Sequence, residues 1–292
     1  MNALVSVIIP TFNRKKRLEG TIVSVLNQSY KSIEIVVIDD GSTDETDVMV
    51  NSLSKDSRYE NIQINYTYQN NNGACSARNL GMQKANGKYL LFLDSDDLLY
   101  PSYLDEQIKS IELNDSDCSI CDFESIDDNG VVLQYFSNNR HPHEFIKKLI
   151  GPSISAVLIK RESLPQALSW NVGLRSTQDL DFLYKYFFSI KKYSYLNKSL
   201  FKYCLHSGER ISDNYLKGIQ YSVLQRSFAE YIARTGKCLS FESRRLYYLY
   251  CISLWRHFAK NWIVSRLPKF VKSALKQLLF RSNAGSSPKW NS

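Results

Sequence analysis

The stretch "LLFLDSDDLLYP", residues 90 to 101, runs an apolar segment directly into three aspartates, Asp94, Asp96 and Asp97, before it returns to leucine. Three carboxylates within four residues repel one another and resist dehydration. A folded protein keeps such a group only where water, cations or hydrogen-bond donors offset the cost. The stretch therefore predicts a buried strand that ends in acids, and those acids require partners from elsewhere.

The segments that precede this stretch alternate between strand-like and helix-like patterns. The chain has four strand-like apolar runs, and two of them are nearly continuous, which is typical of strands buried on both faces of a parallel sheet. Between the runs, apolar residues such as Leu18, Ile22 and Val25 recur at helical spacing. Alternating strands and helices predict an α/β fold with a mostly parallel central sheet flanked by helices. The predicted strands are residues 5–10, 33–40, 62–68 and 89–94.

The pattern is less regular after residue 100. Pro101 opens a predicted helix, "CSICDF" at 118–123 is a strand candidate, and "SAVLIK" at 155–160 is a shorter one. The segment "QDLDFLYKYFF", 178–188, has the pattern of a helix, and 193–206 has the pattern of a β-hairpin. This part of the sequence thus predicts short strands and loops rather than further regular alternation.

Charge is distributed unevenly along the chain. Of the 37 lysines and arginines, 14 lie from Tyr215 onwards, together with only 2 of the 29 acidic residues, Glu230 and Glu242. The front part thus carries 23 basic and 27 acidic residues, a net charge of about −4, and the tail carries about +12. Such asymmetry predicts a negatively charged surface, membrane or nucleic acid, as the partner of the tail.

Acidic residues end two of the predicted strands, at Asp39 and Asp40 and again from Asp94 onwards. Ligands of open α/β sheets bind outside the carboxyl ends of the strands. Because side chains alternate along an extended chain, we expect Asp94 and Asp96 to face the same way and to hold one hard cation, magnesium or manganese. The alternative is that these acids cap helices or lie in solvated turns.

The six cysteines do not form a disulfide framework in a chain of 292 residues, and we expect reduced thiols. Cys118 and Cys121 are spaced like metal or redox ligands, but thiols three residues apart on a strand point to opposite faces, so we interpret them as core residues. The N-terminus lacks the charge order of a signal peptide, and no apolar run reaches the roughly 18 residues that span a membrane. These features predict a cytosolic protein.

Four segments resemble the successive motifs of family 2 glycosyltransferases, in order and at familiar spacing. They are "VSVIIPTFNR", "VVIDDGSTDET", "NGACSARNLGMQKANGKYLLFLDSDD" and "QDLDF", and the resemblance covers roughly residues 4 to 210. It implies a GT-A fold and an inverting reaction with nucleotide-sugar donors. It also implies a catalytic domain at 1–214, with a nucleotide-binding part at about 1–100 and an acceptor-binding part at about 101–214.

The resemblance implies a catalytic base as well. Asp179 in "QDLDF" lies where the family places this base, and Asp181 is the alternative because Gln178 stands where the family usually has glutamate. An inverting transfer is a single displacement, so one carboxylate must take a proton from the acceptor hydroxyl. An aspartate near its ordinary pKa of about 4 is ionised at neutral pH and can accept that proton.

The donor site is implied by the same resemblance. The Asp-x-Asp element would hold Mn²⁺ or Mg²⁺ on the diphosphate, and Asp40 would bind the nucleobase, most often uracil. The metal ligands implied in this way are Asp94, Asp96 and His206. The implied nucleotide-sugar-binding residues are Pro10, Thr11, Asp40, Arg78, Asp94, Ser95 and Arg210.

The C-terminal region, residues 215–292, is predicted to be helical and basic. The segment "PKFVKSALKQLLFR", 268–281, is amphipathic with lysines on one side, and Trp255 and Trp262 are residues typical of membrane interfaces. We expect these helices to lie on an anionic membrane surface or, alternatively, to pack on the catalytic domain with solvated lysines. No zinc-finger, RNA-binding or phosphate-loop motif supports nucleic acid as a partner.

Together with the resemblance, these features predict a hexosyltransferase that moves one sugar from a UDP-sugar to a hydroxyl of a glycan or of a polyprenyl-diphosphate-linked saccharide. The expected pathway is the biosynthesis of a surface polysaccharide, O-antigen lipopolysaccharide or capsule, at the cytoplasmic face of the inner membrane. The Gln-x-x-Arg-Trp element of processive family members is missing from the sequence, which favours single addition. The alternative is a non-catalytic nucleotide-sugar-binding scaffold of a polysaccharide assembly complex.

Overall fold

The structure, a computed structural model, describes residues 2–142, 144–145, 151–175, 177–205 and 231. The predicted site residues His206 and Arg210 lie outside the described residues, as does the basic C-terminal region except Tyr231. The described helices are α1 (Lys15–Leu26), α2 (Thr46–Ser54), α3 (Ala74–Lys84), α4 (Tyr103–Asn114) and α5 (Gln178–Ser189). The described strands are β1 (Val5–Thr11), β2 (Ile33–Asp39), β3 (Gln63–Tyr68), β4 (Tyr89–Phe92), β5 (Leu98–Leu99), β6 (Cys118–Ile126), β7 (Val132–Phe136), β8 (Val157–Lys160) and β9 (Tyr193–Cys204).

The first four strands form a parallel half-sheet in the order β3–β2–β1–β4. Every residue of β1 and β2 is buried, which confirms the prediction from their continuous apolar runs. Helix α1 buries Leu18, Ile22 and Val25, the residues whose spacing predicted it. Helix α3 packs so closely on the sheet that a Cβ on Gly81 would lie 2.3 Å from Ile8 Cγ2. The predicted α/β alternation is therefore confirmed in this half.

Beyond β4 the sheet becomes mixed. Strand β8 pairs antiparallel with both β4 and β6, β6 pairs parallel with β9, and β9 pairs antiparallel with β5. Strand β7 pairs with β6 beside this path, so the described part of the chain forms one sheet of nine strands. The irregular sequence pattern after residue 100 corresponds to this mixed half, and parallel pairing dominates only in the first half.

The β-hairpin predicted over 193–206 is wrong. Residues 193–204 form the single strand β9, which pairs parallel with β6 from Cys118↔Tyr193 to Ile126↔Cys204. The turn-like residues Asn197 and Lys198 fall where the register shifts, between Cys121↔Leu196 and Asp122↔Ser199. These two residues are therefore absorbed as an irregularity within one strand, because the partner strand β6 continues on both sides of them.

Aromatic side chains join the two halves of the fold. Phe92 of β4 contacts Trp170 edge-to-face at 5.2 Å between ring centroids, and Trp170 stacks on Phe182 of α5 at 4.3 Å. Such pairs contribute about 0.5–1.5 kcal/mol each beyond the area they bury. They fix the start of α5 near the carboxyl end of β4.

Two further expectations concern the core and the membrane. Cys118 and Cys121 are buried free thiols on β6, which confirms their interpretation as core residues. Among the helices of the described residues, none combines the length and the apolar character that a membrane crossing needs.

Candidate active site

The aspartates that follow β4 lie in a turn rather than in an extended chain. Strand β4 ends at Phe92, and the backbone N–H of Asp97 donates to the Asp94 carbonyl at 3.1 Å. Strand alternation, the reason for expecting Asp94 and Asp96 to face the same way, therefore does not apply to these two residues. The turn directs the three acids of this segment to three different partners.

Each of these acids has its own hydrogen-bond donor. Asp94 Oδ1 accepts from Arg78 Nη2 at 2.8 Å, and Asp96 Oδ2 is ion-paired with Arg14. Asp97 is fully buried and accepts from the Ser155 hydroxyl at 2.8 Å. Burial, and then the charges of the two neighbouring aspartates, raise the pKa of Asp97 well above its ordinary value. The charges of Asp94 and Asp96 are thus offset by two arginines, whereas burial and the neighbouring charges favour the neutral form of Asp97.

Arg78 links the donor-side turn to helix α5. Its side chain is buried, and besides Asp94 it donates to Gln178 Oε1 at 3.1 Å and lies 4.6 Å from the Trp170 ring centre. Burial alone would lower its pKa, but the charges of Asp94 and Asp179 leave the pKa raised. Its Nε is buried and has no hydrogen-bond partner among the described residues. Because its pKa is raised, the guanidinium stays charged.

Asp179 is the second residue of α5 and is partly buried. Burial raises the pKa of its carboxyl from 3.8 to about 6. The charge of Arg78 opposes this effect, and the charge of Asp94 adds to it. The backbone N–H of Ile154 acts in the opposite direction to burial and lowers this pKa. A general base works best with a pKa near the operating pH, so this carboxylate has the electrostatics of one.

Asp181, the alternative base, has a different environment. In an α-helix two residues that are two positions apart lie about 200° apart around the axis, so Asp181 cannot face the same way as Asp179. Its Oδ2 is 2.6 Å from Lys185 Nζ, and the two side chains are 1% and 6% exposed. The structure therefore places Asp181 in a buried ion pair within α5.

Asp40 follows β2 and faces the start of α3. Its carboxylate accepts hydrogen bonds from the Gln69 side chain at 2.7 Å and from the backbone N–H groups of Asn72 and Gly73, each at 2.8 Å. The carboxylate thereby holds the loop that opens α3 at the carboxyl end of the parallel strands.

The remaining predicted donor-site residues of the described part lie at the same end of the sheet. Pro10 and Thr11 are the last residues of β1, and the Thr11 carbonyl accepts from the Asp40 backbone N–H at 2.8 Å. Thr11 Oγ1 is buried and has no hydrogen-bond partner within the described ranges. Ser95 is buried in the turn after β4.

The residues proposed for a divalent cation fit its chemistry in part. Asp94 and Asp96 supply carboxylate oxygens, the ligands that Mg²⁺ and Mn²⁺ prefer, and such sites are usually completed by water and substrate phosphates. One oxygen of each carboxylate contacts an arginine. Among the residues that the structure describes, no group of three or more His, Cys, Asp or Glu side chains is arranged to hold a metal. The two carboxylates therefore have the donor chemistry that a hard cation prefers, and in this structure an arginine pairs with each of them.

Sequence reasoning missed three residues of this site, Arg14, Ser155 and Trp170. Arg14 lies three residues after the end of β1, in "TFNR", and its position beyond the carboxyl end of a strand was a signal that could have identified it. Ser155 and Trp170 lie in the irregular segment between β7 and α5, where no local pattern distinguishes them.

The family model described as "Glycosyl transferase family 2" matches residues 6–205 of the chain. Among curated proteins, an uncharacterized glycosyltransferase of Rickettsia bellii is 39% identical over 149 residues, which are 51% of this chain and 21% of that protein. The chain therefore spans only about a fifth of the length of this relative.

Two further proteins are similar to parts of the chain. WfaP of Escherichia coli, "UDP-Glc:alpha-D-GlcNAc-diphosphoundecaprenol beta-1,3-glucosyltransferase", is 43% identical over 109 residues, 37% of this chain and 41% of WfaP. The structure of S. aureus TarS 1-349 in complex with UDP-GlcNAc superposes with a TM-score of 0.71 at 23% identity, covering 92% of this chain and 77% of that one. The superposition confirms the predicted GT-A fold. Because the family model covers more than half of the sequence, the chain belongs to glycosyl transferase family 2.

Proposed function

We propose that the protein is an inverting glycosyltransferase that moves one sugar from a UDP-sugar to a hydroxyl of a saccharide. The observation that carries the proposal is the Asp179 carboxyl, whose pKa of about 6 suits a general base and which interacts electrostatically with Arg78 and Asp94. Membership of glycosyl transferase family 2 supports this reaction class.

Asp179 is the proposed base. Its carboxylate takes the proton of the acceptor hydroxyl while the hydroxyl oxygen attacks the anomeric carbon, and the bond from that carbon to the diphosphate oxygen breaks. A single displacement of this kind inverts the configuration at the anomeric carbon. Asp181 suits the role less well because its carboxylate is fully buried and paired with Lys185.

The donor is proposed to bind along the carboxyl ends of β1, β2 and β4. Arg78 and Arg14 are positive charges beside the turn that follows β4. Guanidinium groups bind phosphate oxygens in a fork geometry, so both suit a diphosphate. The other residues of the proposed donor site are Pro10, Thr11, Asp40, Ser95 and Arg210.

Asp94 and Asp96, with His206, are the proposed ligands of Mn²⁺ or Mg²⁺. With a divalent cation bound, these residues would hold a positive charge that would stabilise the departing diphosphate. Arg14 and Arg78 orient these two carboxylates through the ion pairs described above. These two ion pairs place negative and positive charges next to one another at the turn that follows β4.

Similar proteins support a more specific substrate pair. The name of WfaP gives UDP-Glc as its donor and alpha-D-GlcNAc-diphosphoundecaprenol as its acceptor, and TarS was solved with UDP-GlcNAc. We therefore propose a UDP-sugar donor and a lipid-linked saccharide acceptor, in surface polysaccharide biosynthesis. This acceptor implies a position at the cytoplasmic face of the membrane, with residues 215–292 as the membrane contact. Residues 1–100 would bind the nucleotide and residues 101–214 the acceptor.

Thermal unfolding of the full chain with a panel of UDP-, GDP- and dTDP-sugars tests the donor site, in manganese and in a chelator. A ligand at 100 times its Kd stabilises the folded state by about 2.7 kcal/mol. We expect manganese-dependent stabilisation by one UDP-sugar, lost in Asp96→Ala and kept in Asp47→Ala, which changes an exposed aspartate of α2.

A turnover assay then distinguishes a transferase from a non-catalytic nucleotide-sugar-binding scaffold. Release of UDP with a lipid-linked saccharide acceptor supports a transferase. Stabilisation by a UDP-sugar without turnover on any such acceptor favours the nucleotide-sugar-binding scaffold. The absence of stabilisation by every nucleotide contradicts both.

A further inference from the structure

Trp170 lies where helix α3, strand β4 and helix α5 meet. It is 2% exposed, and the Arg78 guanidinium of α3 lies 4.6 Å from the centre of its ring. The same ring stacks on Phe182 of α5 at 4.3 Å and contacts Phe92 of β4 edge-to-face at 5.2 Å. One side chain therefore contacts all three elements that carry Arg78, the acids after β4 and the proposed base.

The Arg78 guanidinium is held by two kinds of contact. Its Nη2 donates to Asp94 Oδ1 at 2.8 Å, and its Nη1 donates to Gln178 Oε1 at 3.1 Å. The third contact is the Trp170 ring, and indole attracts a cation more strongly than the other aromatic rings do. Arg78 is 6% exposed, and this attraction is larger where water is excluded. Trp170 therefore adds a contact that depends on the charge of Arg78.

The backbone of Trp170 is fixed to α3 by the residue next to Arg78. Asn79 Oδ1 accepts from the Trp170 backbone N–H at 2.8 Å, and Asn79 Nδ2 donates to the Trp170 carbonyl at 2.9 Å. These two bonds use the acceptor and a donor of one amide group, so they fix both the distance and the orientation of the Trp170 backbone. Consecutive residues of α3 thus hold the backbone and the ring of Trp170.

We infer that Trp170 is a positioning residue that holds the Arg78 guanidinium in place beside Asp94. The inference rests on the proposed function, in which Arg78 lies beside the diphosphate of the donor. Because Trp170 is buried, it acts on the donor through Arg78. A ring that served only the packing of the core would act on the donor independently of Arg78, and this difference can be measured.

Binding of UDP to the full chain in manganese, measured by calorimetry, tests the inference. We expect Trp170→Leu to weaken UDP binding about fivefold or more, because leucine has no ring to hold the guanidinium. Trp170→Phe should weaken it less, because phenylalanine keeps a ring that attracts a cation more weakly. Equal UDP affinity of wild type and Trp170→Leu would overturn the inference.

Phe187 provides a matched control on helix α5. It is 1% exposed and stacks on Phe145 at 6.2 Å between ring centroids. Phe187→Leu therefore removes a buried, stacked ring eight residues after Asp179 on the same helix. We expect the Kd of UDP in this variant to stay within about twofold of wild type. An equal loss of UDP affinity in Phe187→Leu and Trp170→Leu would contradict a specific effect of Trp170.

A double-mutant cycle with Arg78→Gln separates positioning from packing. If Trp170 acts on the donor through Arg78, it has little left to position once the guanidinium is removed. Trp170→Leu should then weaken UDP binding by less than about twofold in the Arg78→Gln background. A loss of UDP affinity by the same factor in both backgrounds would overturn the inference.

Urea unfolding gives a readout that does not depend on UDP. Trp170→Leu should lower the urea midpoint less in the Arg78→Gln background than in wild type, whereas Phe187→Leu should lower it equally in both. Equal shifts by Trp170→Leu would contradict a contact between the ring and the charge. If wild-type protein bound no UDP, the proposed donor site would fail, and the unfolding cycle would still decide whether Trp170 holds Arg78.

Trp170→Phe covers the case in which Trp170→Leu does not fold. It takes the place of Trp170→Leu in both cycles, and we expect the same pattern with smaller changes. Wild-type UDP affinity together with a wild-type urea midpoint in this variant would then overturn the inference.

Discussion

Asp179→Asn is expected to remove turnover and, at the same time, to stabilise the fold. The pKa of Asp179 rises from 3.8 to about 6 on folding, so the folded protein disfavours the charged carboxylate. Each pKa unit corresponds to 1.36 kcal/mol, so the charged carboxylate destabilises the folded protein by about 3 kcal/mol at pH 7 and above. This value is an upper figure, since Asp179 is partly exposed and solvent screens its charge. Asparagine has a similar shape and no charge, so it should recover most of this free energy.

The free energy of unfolding that Asp179→Asn gains over wild type should be larger at high pH than at low pH. Because folding raises this pKa, the destabilisation is complete above about pH 6 and is lost as the pH falls towards 4, where wild-type Asp179 is itself protonated. Urea unfolding of wild type and variant at pH 7 and pH 5 measures the difference, which we expect to fall to about half at pH 5. A destabilised Asp179→Asn variant at pH 7, or a gain that does not change with pH, would refute this electrostatic reasoning.

Asp181→Asn is the comparison for the same measurement and should act in the opposite direction. It removes the carboxylate that lies 2.6 Å from the buried Lys185 ammonium, and breaking a buried ion pair costs about 3–5 kcal/mol. Two substitutions of the same type, two residues apart on α5, should therefore change the free energy of unfolding with opposite signs. Equal signs would contradict the assignment of Asp181 to a structural ion pair.

Three further predictions use other features of the structure. The kcat/KM of the wild-type protein should fall about tenfold per pH unit below about pH 6, because protonated Asp179 cannot accept a proton. A pH profile of kcat/KM that stays flat to about pH 5 would argue against Asp179 as the base. Gly81→Ala should lower the free energy of unfolding by about 1–3 kcal/mol, measured in urea, because its Cβ would lie 2.3 Å from Ile8 Cγ2, and an unchanged midpoint contradicts this packing. Arg78→Lys should lower turnover at least about tenfold in steady-state assays, because an ammonium lacks the planar fork that bonds Asp94 and Gln178 at once, and wild-type turnover would exclude this role.

The parallel half of the fold could be predicted from the sequence because its signals are local. The continuous apolar runs of β1 and β2 reflect burial on both faces of the sheet, and the helical spacing of Leu18, Ile22 and Val25 reflects the buried face of α1. The mixed half could not be predicted in the same way. Residues 193–206 are predicted from their pattern to form a complete β-hairpin, and only pairing with the continuous partner strand β6 keeps residues 193–204 in one strand.

For the site, the sequence by itself determined which acids stand at the carboxyl ends of strands and at the start of α5, because these positions follow from the strand and helix periods. It could not determine their partners. The pairing of Asp94 with Arg78 and of Asp97 with Ser155 joins residues 16 and 58 positions apart, and the different environments of Asp179 and Asp181 depend on which side of α5 faces the sheet. Long-range packing decides hydrogen-bond partners, burial and hence pKa, so only the tertiary structure distinguishes the proposed base Asp179 from the buried ion pair of Asp181, two residues away.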